Sequence, residues 1–168
     1  MNSPTAKARF RLRHDRALLI AGTLYGVIAV LTALVAVQPG EVTTRDAIVG
    51  GFVLAGITIV SKFFIELSKR ETELGARLNQ TARRELWRES FPTAVFPLAS
   101  VVVLGASYPL GIGQAAAYNF IYYLGLAALF VAGFLSRYTA DAKTSEAFSR
   151  GAVWLFLGLL ILAGKKFV

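Results

Sequence analysis

Residues 47–67 read AIVGGFVLAGITIVSKFFIEL. A run of 21 residues is long enough to cross a bilayer as a helix. It is also the only long apolar run with charges well inside it, Lys62 and Glu66. At about 100° per residue, Gly51, Ala55, Thr58, Lys62 and Glu66 share a stripe roughly 80° wide. Phe52, Ile59 and Phe63 occupy the opposite side, where bulk suits lipid or tight packing. A charge near the middle of a bilayer costs at least ~2.5 kcal/mol, so it turns toward protein or water. The stretch therefore predicts a polytopic membrane protein with a buried polar site.

Four further runs surround it, at about 17–37, 91–108, 114–135 and 147–164. The first is too long for a signal-peptide core and lacks a small-residue cleavage pattern, so it reads as an uncleaved span. Gly22, Gly26, Ala29 and Ala33 give it a small face, which lets helix backbones approach closely in lipid. The expected partner of that face is the second span, with Gly22 and Gly26 at the depth of Lys62. Pro39-Gly40 stops the first helix, and Thr44 or Asp46 can cap the second. In the third run, Ser90 reads as a cap and Pro92 as a first-turn proline. Pro97 removes a hydrogen bond to the Thr93 carbonyl and predicts a bend, with that carbonyl free to face Lys62. Residues 109–113, PLGIG, predict a tight turn. Tyr118, Tyr122 and Tyr123 read as an interfacial belt, with the lining of an entrance alongside Asn119 as the other option. The last run is short for a span, and helix from Thr144 or Ser145 would lengthen it.

The largest polar segment, residues 68–90, has six basic and four acidic residues and no proline. It predicts a cytoplasmic helix that continues the second span and breaks near Gly75. Its loose apolar stripe suits the membrane surface or solvent, and Trp87 suits an interfacial anchor.

Composition excludes several function classes. Hydrophobic residues make up 55% and mean hydropathy is +0.57, unusual for a soluble chain. With no cysteine and only one histidine, His14, thiolate metal sites and a protein-ligated haem are not expected. The net charge of +8 sits beside apolar segments, which fits lipid headgroups and not nucleic acid. No metalloprotease HExxH, phosphate loop or paired serine and histidine within the spans is present. The expectation is no catalytic residue, no cofactor, no metal and no enzymatic activity.

The basic residues orient the chain. With five spans and a cytoplasmic N-terminus, 14 of the 18 lysines and arginines lie inside, three outside and Lys62 within the membrane. This is a strong positive-inside bias. Lys165 and Lys166 are its weak point, because a re-entrant last segment would put them inside. The expected fold is an all-α bundle of five transmembrane helices in one domain, residues 1–168, in the cell membrane.

Three readings of Lys62 and Glu66 are open. Four apart, they can pair along the helix as a buried couple that fixes packing. They can snorkel to headgroups. They can attract or pass a small ion on a permeation path, with Thr58 beside them.

The order of features resembles a group of small uncharacterised prokaryotic integral membrane proteins. The residues concerned are Tyr25-Gly26 in the first span, Lys62 and Glu66 closing the second, and Arg83-Arg84-Glu85-Leu86-Trp87 with Pro92 leading into the third. The resemblance adds Tyr25 to the candidate polar site and brings no activity with it. Where that pattern often has His, this chain has Lys62, which argues against a neutral-pH proton switch. Two functions are therefore expected to compete. One is a channel or transporter subunit for small ions, protons among them, with Lys62, Glu66, Thr58 and Tyr25 on the path and a homo-oligomer enclosing the pore. The other is a scaffold subunit that binds partner membrane proteins, with Gly22, Gly26, Gly51, Ala55 and Pro97 as packing positions.

Overall fold

The structure, a computed structural model, describes residues 4–36, 42–138 and 144–164, with side chains from residue 17 onward and excepting residue 138. Pro39-Gly40, Lys165 and Lys166 lie outside the described residues. The described chain is helical: α1 (Pro4–Ala36), α2 (Thr44–Leu74), α3 (Gln80–Ser90), a 3-10 turn (Phe91–Ala94), α4 (Val95–Ser107), α5 (Gln114–Tyr138) and α6 (Thr144–Gly164). Five helical segments are long and apolar enough to cross a membrane, the third being the composite Gln80–Ser107 of 28 residues. The fifth begins at Thr144, so the lengthening expected from the sequence is present.

Local chemistry sets the boundaries. The cap of α2 is Thr43, one residue before the expected Thr44. Its hydroxyl accepts from the Asp46 N–H (3.2 Å) and donates to the Asp46 carboxylate (2.7 Å), a reciprocal cap that ties down the first turn. At the other end Gly75 takes φ 63, a left-handed conformation that glycine adopts without a side-chain clash. Asn79 then caps α3 by accepting from the Ala82 N–H at 2.8 Å. Residues 68–90 are thus no separate surface helix. They form the end of α2 and the start of the third segment, joined as an antiparallel hairpin. In the 109–113 turn Ile112 donates to Ser107 and Gly111, at φ 65, donates to Tyr108, the bonding of a Schellman stop.

Ser90 is not a cap. Its backbone stays helical, and its hydroxyl donates to the Leu86 carbonyl at 2.9 Å. The helix runs through it into the 3-10 turn. Pro92 lies in that turn and Pro97 in the first turn of α4. The irregularity predicted at Pro97 therefore lies upstream, where a proline N lacks the proton an α-helix would use.

α1 packs against α5 and the third segment, α2 packs on α4, and α6 runs along α5. The core joins Val27, Val30 and Leu31 of α1 to Phe96 and Leu104 of α4 and Ile121 and Leu129 of α5. Glycines bring the helices close, but not in the expected pairs. A Cβ on Gly22 would meet Pro92 at 2.6 Å, and one on Gly26 would land on the Thr93 carbonyl oxygen. The small face of α1 thus receives the third segment, not α2. On α5 and α6, Gly133 lies under Trp154, and Gly151 lies against the Phe130 backbone.

Candidate functional site

The stripe of α2 faces protein along its upper part. Ala55 and Thr58 are buried, and a Cβ on Gly51 would strike the Val101 side chain of α4. Phe52, on the opposite side, is exposed. The Thr58 hydroxyl donates to the Ala55 carbonyl of its own helix at 2.9 Å. It is satisfied there and presents no proton toward Lys62.

Lys62 lies half-buried one turn further on. Its ammonium donates to the backbone carbonyl of Glu89 at 3.1 Å. Among the described residues no ion pair joins it to Glu66, so the expected i, i+4 couple is not formed. One physical reason favours the carbonyl. Pro92 has no N–H to give to the carbonyls of residues 88 and 89. The first of these takes the Phe91 N–H, and the second takes Lys62. The proline that matters to Lys62 is therefore Pro92, not Pro97. The Thr93 carbonyl, expected opposite Lys62, faces Gly26.

Glu89 is the residue that sequence reasoning missed. Its carboxylate accepts from Arg70 at 2.8 Å, so one residue at the end of α3 holds two cations of α2. The signal was present: a hairpin turning at 75–79 lays residue 62 beside residues 89–92. Further out, Arg83 donates to Glu71 at 2.8 Å, and the same Glu71 oxygen accepts from the Leu78 N–H at 3.1 Å. The rings of Phe63 and Trp87 meet edge to face at 5.1 Å, so Trp87 packs on α2 as well as lying at the surface. Leu86 is fully buried between these contacts. Tyr25 belongs to none of this. It is 52% exposed on α1.

A second polar cluster lies on α5. Gln114, Tyr118 and Tyr122, four residues apart, share one face. Gln114 Nε2 donates to the Val42 carbonyl (2.8 Å) and to the Tyr118 hydroxyl (3.2 Å). The Tyr122 hydroxyl donates to the Leu34 carbonyl at 2.7 Å. Tyr118 and Tyr122 are 1% and 8% exposed. They are core residues and not an interfacial belt. Tyr123 and Tyr108 are exposed. Tyr122→Phe should lower stability by about 1 kcal/mol, the usual worth of one buried hydrogen bond. Thermal unfolding in detergent checks this, and an unchanged midpoint would mean that the bond adds nothing.

The arrangement ties α2 to the third segment through an ammonium, two guanidinium–carboxylate pairs and two aromatic rings. No family model matches the chain, and no curated protein or solved structure matches it either.

Proposed function

We propose that this chain is a multi-pass protein of the cell membrane, N-terminus in the cytoplasm, that works as a non-catalytic scaffold or accessory subunit. The observation that carries this reading is the α2–α3 hairpin. α2 has 31 residues, about 46 Å at 1.5 Å per residue, against a hydrocarbon core of about 30 Å. Its last turns and α3 therefore extend past the lipid as a braced projection. Arg77, Arg84, Glu85 and Arg88 are exposed on it, a surface for charge-steered contact with another protein.

Ion transport is the weaker reading. Lys62 lies 18 residues from the start of α2, about 27 Å along it, close to the inner interface and not at mid-membrane. Its proton donor is directed at a backbone carbonyl, and Gly51, toward the far side, lies against Val101 of α4. The transport reading would also need a homo-oligomer to enclose a pore.

Reconstitution into liposomes tests the choice. Proton and potassium flux should equal that of empty vesicles, and flux above that level would overturn the scaffold reading. Charge reversal at Arg77 and Arg84 should leave the thermal midpoint unchanged and shift the protein's native complex, read by size in gentle detergent, to that of the chain alone. Unchanged complex size would remove the hairpin as the docking element.

A further inference from the structure

α1 and α2 touch little, and between them the bundle leaves a cavity of about 280 Å³ backed by α4 and α5. Its inner wall includes Val30, Pro97, Val101, Leu104 and Ile121, all buried. Its rim on α2 includes Gly50, Val53 and Ile57, all exposed, so it opens sideways along the apolar length of α2. An apolar cavity of about 150 Å³ already takes up benzene in a soluble protein. A larger one that opens to hydrocarbon would not stay empty, because its lining lacks contact atoms on one side. The cavity is not uniformly apolar. Asp46, in the first turn of α2, is the one charged residue that lines it among the described residues, with Tyr118 among the other polar ones.

We propose that this cavity is a binding site for one acyl chain of a zwitterionic phospholipid, which enters between α1 and α2 with its headgroup at the Asp46 end. The membrane surrounding the bundle supplies the chain, so the site rests on the membrane reading above. The carboxylate sets the headgroup preference: it repels an anionic headgroup and accepts an ammonium-bearing one. Gly50 is the gate. A Cβ there meets nothing within 4 Å, so a longer side chain can enter the cavity without striking the fold. Gly56, also exposed with nothing within 4 Å, is the matched position that does not line the cavity.

The test uses the full chain in phosphatidylcholine vesicles that contain phosphatidylcholine with a diazirine on one acyl chain. After irradiation, labelled residues are mapped by tandem mass spectrometry. Labels are expected on Phe52 and Val102, which are exposed, and on Val101 and Leu104, which form the inner wall. Gly50→Leu should lose the wall labels and keep those on Phe52 and Val102, Gly50→Ala should fall between, and Gly56→Leu should match the parent. A phosphatidylglycerol probe should label Phe52 and Val102 but label the wall less than phosphatidylcholine does. Unlabelled wall residues in the parent, with Phe52 and Val102 labelled, would overturn the site and mean that another copy, a partner or nothing fills it. Wall labels that survive Gly50→Leu, or that are equal from both lipids, would overturn the gate or the headgroup assignment respectively. Absence of label at Phe52 and Val102 would defeat the membrane reading itself.

Discussion

Gly26→Leu should be strongly destabilising, lowering the unfolding free energy by about 3 kcal/mol, the upper range for overpacking. The wall opposite Gly26 is rigid. A Cβ there lands on the Thr93 carbonyl oxygen and lies 3.1 Å from Pro97 Cδ, and neither a backbone carbonyl nor a proline ring can rotate aside. Gly26→Ala should already destabilise, although alanine is worth up to ~1 kcal/mol more than glycine inside a helix. Gly56→Ala, with open space around it, should be neutral or slightly stabilising. Equilibrium unfolding in mild detergent compares the three. Similar midpoints for Gly26→Ala and Gly56→Ala would mean that α1 and the third segment do not meet as described.

Lys62→Met should be the next largest effect among polar positions, about 1.5 kcal/mol, the lower end for a hydrogen bond to a charged donor because the side chain is only half-buried. Methionine keeps the length of the stem and its packing, so the loss reports on the ammonium. Glu66→Leu should cost less than about 0.5 kcal/mol, since a partly exposed carboxylate without a hydrogen-bonded partner among the described residues contributes little. Arg70→Met should fall between the two, because it breaks the exposed half of the Glu89 contact.

Much of the architecture was legible because length and period carry it. Runs of about 20 apolar residues marked five segments, and a period near 3.6 put Gly51, Ala55 and Thr58 on the face that meets α4. The break at Gly75 was readable from glycine's access to φ > 0. What failed was neighbour assignment. The reading paired the first two spans because Gly22 and Gly26 fall at the depth of Lys62, whereas they fit the proline-bearing turn at 91–94, and no local pattern encodes that distance in sequence. For Lys62 the reading left a pair with Glu66, snorkelling and an ion path open, and offered the Thr93 carbonyl as a main-chain acceptor. The acceptor it has is a main-chain oxygen, which any residue type would supply, and its position follows from Pro92 and the hairpin register. Tyr118 and Tyr122 were placed at the surface because tyrosine suits both an interface and a core with a carbonyl in reach. Only the approach of Leu34 decides between these for Tyr122.

The central claim is that Lys62 anchors α2 to the end of α3 through the Glu89 carbonyl and forms no close ion pair with Glu66. A double-mutant cycle of Lys62→Met and Glu66→Leu, followed by unfolding in one detergent, measures it directly. The claim predicts that the two losses add to within about 0.5 kcal/mol, as for positions that share no contact. A coupling of several kcal/mol, with the double variant more stable than Glu66→Leu alone, is the signature of a buried ion pair and would contradict it.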